Sequence, residues 1–166
     1  QFTNSYVEEN NFRVLDIACN DGTLLDIYKT LGYSTYGIDP SINLYEISSK
    51  NHEVTLDYLN WNFANSMSGK FSTIVAQNVM AHNSYPIEFL KMCAEMLDDN
   101  GLIFIQNSQA NMVENNEFDT IYHEHLSFYS VESFKALARN ANLVVIDFIK
   151  TSLHGTSGLF ILSKNP

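Results

Sequence analysis

The sequence predicts an α/β fold built on a doubly wound, mostly parallel sheet. Three observations lead there. β-Prone runs alternate with segments of helical spacing, the early runs are apolar on both faces as buried parallel strands are, and the last two runs are joined by a short turn. "RVLDIA" (13–18) is the first strand, followed by the turn "CNDG" and the helical "TLLDIYKTLG" (23–32). "YSTYGID" (33–39) reads as a second strand, "PSINLYEISSK" (40–50) as a helix with Pro40 at its start, and "HEVTL" (52–56) as a short third strand. After a polar stretch, "FSTIVAQNV" (71–79) is a buried strand, "PIEFLKMCAEMLDDNG" (86–101) a helix closed by Gly101, and "LIFIQN" (102–107) a further strand. "VESFKALARNAN" (131–142) has helical spacing. "LVVIDFI" (143–149) and "SGLFILS" (157–163), separated by the turn "HGT", complete seven strands and are expected to pair antiparallel at one sheet edge.

The 166 residues fit a single domain, 1–166, in which 1–12 is a lead-in segment. A hydrophobic fraction of 45% with 17% charged residues is that of a chain with a core, not of a disordered one. Nine Lys and Arg against nineteen Asp and Glu give a net charge of −10, which repels a phosphate backbone and disfavours a nucleic-acid substrate. No apolar run reaches the roughly 20 residues that span a bilayer, and "QFTNSYVEENNF" lacks the regions of a signal peptide, so a cytoplasmic location without membrane association is expected. Cys19 and Cys93 have no paired spacing and read as reduced thiols. The start without Met and the end at "LSKNP" read as a piece of a longer protein.

Sheets of this kind bind ligands at the carboxyl ends of their strands, where the strand order reverses. That rule singles out Ala18, Cys19, Asn20, Asp21 and Gly22 after the first strand, Asp39 with Pro40 after the second, and Asn78 to His82 after the fourth. A strand, a glycine turn, a helix and an acid ending the second strand suit an adenosine cofactor, whose ribose hydroxyls pair with a carboxylate; Asp39 has that place. Its alternative reading is as a cap of the helix that begins near Ser41. A dinucleotide needs several glycines to bring its pyrophosphate against the backbone, and "DIACNDG" has only Gly22. S-Adenosylmethionine has no phosphate, and Asp16 or Asp21 can orient its amino group, so that cofactor is favoured over NAD. A cofactor-free fold is the remaining alternative.

"VLDIACNDGTLL", "GIDPS", "QNVMAHN", "FDTIYHEHLSFYS" and "LHGTSG", in this order, resemble the class I methyltransferases and, more specifically, the sugar C-methyltransferases that act on nucleotide-linked keto sugars. The resemblance implies a Rossmann-like, seven-stranded sheet with an antiparallel last strand, S-adenosylmethionine as cofactor, and a nucleotide sugar as small-molecule substrate. It places Asn20, Asp21 and Gly22 at the methionine end of the cofactor, Asp39 on the ribose, Asn78 and Ala81 beside the sulfonium, and His82 toward the substrate. Tyr122, Glu124 and His125 match the polar catalytic cluster, with His125 as general base; His123 matches without a defined role. The family carries an N-terminal zinc-binding domain and a further C-terminal domain that this sequence lacks. A family glycine is replaced by Ala18, and "HGTSGL" departs from "HGGSLR" by a glycine and an arginine.

Methylating carbon requires a carbanion, usually an enolate beside a ketone. A histidine serves as its base when a carboxylate such as Glu124 fixes the tautomer and supports the imidazolium, while Tyr122 and His82 hold the enolate oxygen. Methyl transfer to oxygen or nitrogen of another small molecule, and a non-catalytic binding module, are the rival functions. A metal at "YHEH" is disfavoured: His123 and His125 share a face only on a strand, where Glu124 points away, and no cysteine completes a site. Met80, Met92 and Met96 read as core, His52 as a surface residue, and His154 as substrate contact or loop. Trp61 is assigned either to an adenine pocket after the third strand or to a partly buried ring.

Overall fold

In the computed structural model, residues 12–108, 116, 123–151 and 157–165 are described. They form seven strands, β1 (Arg13–Ile17), β2 (Ser34–Ile38), β3 (Glu53–Thr55), β4 (Phe71–Gln77), β5 (Leu97–Ser108), β6 (Val144–Thr151) and β7 (Ser157–Ser163). Five helices accompany them: α1 (Thr23–Thr30), α2 (Ile42–Ser48), α3 (Trp61–Ser66), α4 (Pro86–Met96) and α5 (Val131–Asn140), with a 3-10 turn at Met80–His82. The sheet order is β3-β2-β1-β4-β5-β7-β6, and β7 runs antiparallel to both neighbours. The chain therefore leaves β3 at one edge and re-enters beside β1 as β4. The order reverses there, so the carboxyl ends of β1 and β4 flank the crevice where a ligand is expected.

Burial explains the strands. Val14, Leu15, Ile74 and Ile103 are fully buried in the central strands, consistent with a sheet covered on both faces. One face packs on α4 and α5 through Phe89, Leu90, Phe134 and Phe160, the last two stacked with centroids 3.9 Å apart. The other face gathers Val14, Leu25, Tyr28, Tyr33 and Phe104. In α5 the Ser130 hydroxyl accepts from the Ser133 amide at 3.1 Å, satisfying one of the donors that a helix start leaves open.

Three boundaries differ from the sequence expectation. Pro40 is not the first helical residue: Ser41 is the extended N-cap, and the helix begins at Ile42. The fourth helix stops at Met96, not at Gly101, because buried Leu97 turns extended and pairs with Phe71. Gly101 serves a different purpose, since a Cβ there would stand 2.7 Å from Leu97 Cδ1. The polar stretch after β3 contains a helix, α3, started by Asn60, whose side chain accepts from the Phe63 amide at 3.0 Å. The turn "HGT" and His154 lie outside the described residues, as does nearly all of the lead-in segment.

Removing the ring that joins α5 to the sheet tests this packing. Phe134→Ala should destabilise the fold by about 3–5 kcal/mol, read from urea denaturation, because the cavity left beside Phe160 and Tyr129 cannot collapse onto rigid strands.

Candidate active site

The first loop is shaped by backbone conformations that most residues avoid. Ala18 (φ 61), Asn20 (φ 54) and Gly22 (φ 87) all have left-handed backbones. Three hydrogen bonds hold them there: Ala18 N–H donates to the Ile38 carbonyl at 2.8 Å, Gly22 N–H to Cys19 at 2.9 Å, and Asn20 N–H to Asp39 Oδ2 at 3.0 Å. Gly22 is required twice over, since a Cβ would also meet His52 Cδ2 at 3.0 Å. His52 is thus not a surface residue. It is buried before β3, with Nδ1 2.8 Å from Thr35 Oγ1 and Nε2 3.1 Å from Asp26 Oδ1, and it forms the floor under the glycine.

The acids of this loop divide in environment. Asp39 is 5% exposed; its Oδ1 accepts the Ser41 amide at 2.8 Å while Oδ2 takes Asn20, so both oxygens pin backbone and each keeps a lone pair for a further donor. Asp16 is buried at the end of β1, where desolvation, and secondarily the Asp39 charge, raise its pKa from 3.8 to about 7. Asp21 is exposed, and its carboxylate accepts the amide of Thr23, the first residue of α1, at 3.0 Å, which holds it below the ordinary carboxylate range. Cys19 is buried with Sγ in the notch left by Gly37, where a Cβ would approach it to 2.5 Å; burial pushes the thiol up to about 12, so it is inert packing.

The carboxyl ends of the strands surround a cavity of about 220 Å³. β1 contributes Ile17 and Ala18, β2 Ile38 and Pro40, the segment after β3 Asp57, Tyr58 and Leu59, the segment after β4 Val79, His82 and Asn83, and α4 Phe89. Of the residues expected from sequence, Ala18, Pro40 and His82 line it; Asp39, Asn20 and Gly22 belong to the loops that frame it. Asn78 (φ 56) bonds back to Gln106, and Ala81 is buried. Asp57, Tyr58, Leu59 and Phe89 were missed by sequence reasoning. For the first three the signal was position alone, just beyond the end of β3 on the ligand side; Phe89 sits inside α4 and had none. Trp61 does not line the cavity; its Nε1 lies 3.3 Å from Glu88 Oε2 between α3 and α4.

The "YHEH" segment meets this cavity through the 3-10 turn. The Ala81 carbonyl accepts from the amides of Leu126 (2.7 Å) and Ser127 (3.3 Å), and His82 Nδ1 donates to the Glu124 carbonyl at 2.9 Å. The His82 and His125 rings meet edge-on with centroids 4.8 Å apart, and Phe128 stands 5.7 Å from His125. The Glu124 carboxylate lies 3.9 Å from His123 Nε2, both side chains being largely exposed. Tyr122 lies outside the described residues. Among the described residues, no cluster of three or more His, Cys, Asp or Glu could hold a metal ion, and no helix is long and apolar enough to cross a membrane.

Two expectations follow. Ala18→Gly should stabilise the protein by about 1 kcal/mol in thermal or urea melts, since the left-handed conformation costs an alanine that much. For Asp16, the unfolded carboxyl loses its proton near 3.8 and the folded one near 7, so the native state binds the extra proton between these values. Its stabilising contribution is complete below pH 4 and is lost as pH rises through 7. The stability of wild type relative to Asp16→Asn should therefore fall between pH 5 and pH 8, by on the order of 2 kcal/mol.

Comparison with known proteins agrees with this architecture. The family model described as "Methyltransferase domain" matches residues 3–147. The C-methyltransferase NovU of Streptomyces niveus is 26% identical over 152 residues, covering 87% of this chain and 36% of that protein. A ubiquinone biosynthesis O-methyltransferase of Rhodopseudomonas palustris is 30% identical over 104 residues, 60% of this chain and 41% of that one. The chain thus spans about two fifths or less of the length of these relatives. A SAM-dependent methyltransferase structure from Archaeoglobus fulgidus superposes with a TM-score of 0.77 at 14% identity, covering 95% of this chain and 88% of that one. With the 3-2-1-4-5-7-6 sheet and the cavity at its switch point, these matches show that the chain belongs to the class I, S-adenosylmethionine-dependent methyltransferases.

Proposed function

We propose that this domain holds S-adenosylmethionine in the cavity at the ends of β1, β2 and β4 and methylates a carbon beside the ketone of a nucleotide-linked sugar. The cofactor supplies an electrophilic methyl group on a sulfonium. The observation that carries the reading is the meeting of the two halves of the site. His82 lines the cavity and is bonded to the Glu124 carbonyl, with its ring against His125.

The chemistry of the walls supports the cofactor. Ile17, Ile38, Leu59, Val79 and Phe89 offer apolar surface to a purine, and Asp57 is an acceptor for an exocyclic amine. The free lone pairs of Asp39 suit the two ribose hydroxyls, and the buried Asp16 carboxyl suits an amino group, which as a cation favours its ionised form. On the acceptor side, His125 takes the proton from the carbon next to the ketone. The C–H pair passes into the enolate and then onto the methyl carbon, as the C–S bond breaks. Tyr122 donates to the enolate oxygen and Glu124 assists the base, while His82, whose Nδ1 proton is committed to the Glu124 carbonyl, holds the segment in place. The identity of NovU as a C-methyltransferase supports carbon as acceptor atom.

A second reading has its own observation, the 30% identity to an O-methyltransferase of ubiquinone biosynthesis. There the same base would deprotonate a hydroxyl. Incubation with a keto sugar nucleotide in D2O, followed by NMR of the sugar, separates the two. Carbon methylation predicts deuterium at the position beside the ketone and its loss in His125→Ala, and unchanged exchange in that variant would overturn the base assignment. For the cofactor, Asp39→Asn should weaken S-adenosylhomocysteine by about tenfold or more in calorimetry, equivalent to about 1.4 kcal/mol. Absence of wild-type binding at millimolar ligand would leave only a non-catalytic module.

A further inference from the structure

We propose that His82 is the positioning residue through which an occupied cofactor cavity sets the acceptor segment 123–129, so that cofactor binding strengthens acceptor binding. This rests on the function proposed above. Three contacts cross from the turn Met80–His82 to the segment. Two are backbone, from Leu126 and Ser127 to the single Ala81 carbonyl at 2.7 and 3.3 Å. The third is the side-chain bond from His82 Nδ1 to the Glu124 carbonyl at 2.9 Å.

A carbonyl only accepts, so this bond requires the proton on Nδ1 and fixes the tautomer of the ring. The same ring lines the cavity and touches the ring of His125. One side chain therefore has the cavity on one side, the backbone of the segment at Nδ1, and the proposed base across an edge-on contact. A ligand that packs against His82 restricts the ring to the orientation in which these contacts are made. The main-chain bonds at Ala81 already share one acceptor, and the longer of them is the weaker, so they leave residues 124–127 dependent on the histidine for their register. Because coupling between sites is reciprocal, acceptor binding strengthens cofactor binding by the same factor.

Hydrogen–deuterium exchange of the full chain, with S-adenosylhomocysteine as probe, tests this without any acceptor. Ligand should slow exchange at Leu126 and Ser127 by tenfold or more in wild type. The effect should vanish in His82→Ala, read at probe concentrations that saturate the variant, since removing a cavity-lining side chain lowers the affinity for the probe as well. His82→Asn places an amide N–H near the position of Nδ1 and should restore the protection; His82→Gln, whose donor lies one bond further out, should not. A merely structural role for His82 would raise exchange by the same factor with and without ligand and leave the protection gained on ligand binding as in wild type. Protection that is unchanged by bound ligand in wild type, or that persists in His82→Ala, overturns the proposal. Failure of wild type to bind the probe at all counts instead against the cofactor reading on which it rests.

Discussion

The site depends on one buried carboxylate that uses both oxygens on backbone. Asp39 joins the loop after β1, through the Asn20 amide, to the start of α2, through the Ser41 amide. Loops after parallel strands have no ladder to hold them, and a chain with left-handed residues at 18, 20 and 22 would relax without an anchor. Here the anchoring extends past the strand ends. Ala18 N–H bonds Ile38, and Asp39 N–H bonds Thr55, so β1, β2 and the end of β3 stay laced one residue beyond the sheet. Gly37 admits Cys19 from one side, and Gly22 rests on the His52 ring from the other. Asp16 bears a cost as well: its own burial, and secondarily the Asp39 charge, hold its proton toward neutral pH.

The β4 end has a different logic. Its loop is held to the sheet by the Asn78 amide on Gln106, then tightens into the turn Met80–His82, with Met80 and Ala81 buried and His82 left at the surface of the cavity. That turn faces both ways. It closes one wall of the cavity and offers a carbonyl and an imidazole to the segment that precedes α5. Nothing in β4 itself could bring residues 124–127 to the cavity. The packing of Tyr129 and Phe134 into the core beneath them fixes where the segment enters, and the Ala81 carbonyl fixes where it stops.

Much of this was legible in the sequence where a single physical cause dominates. The apolar runs fixed the strands and the terminal antiparallel pair, and the lone Gly22 with Asp39 marked the two loops that the structure joins. What could not be read were effects of residues distant in sequence. His52 looks like a polar residue opening a short strand, and only the fold places Thr35, Asp26 and Gly22 around its ring. Gly101 looks like a helix stop, whereas it makes room for the Leu97 side chain four residues earlier in the same strand. The helix at Trp61 is only six residues long and amid polar neighbours, too short for its periodicity to show; Asn60 was its one local signal. Just after "YHEH", two of the three docking bonds are made by the backbone amides of Leu126 and Ser127, which carry no side-chain signature at all.

Asp39 and His82 frame the crevice proposed to hold the cofactor. A crystal structure of the chain with S-adenosylhomocysteine tests it most directly. The ribose hydroxyls are expected on the Asp39 carboxylate, the purine between Ile38, Leu59 and Phe89, and the sulfur directed toward His82 and the segment at 124–127. Ligand bound elsewhere on the surface, or in this crevice with its ribose away from Asp39, would contradict it.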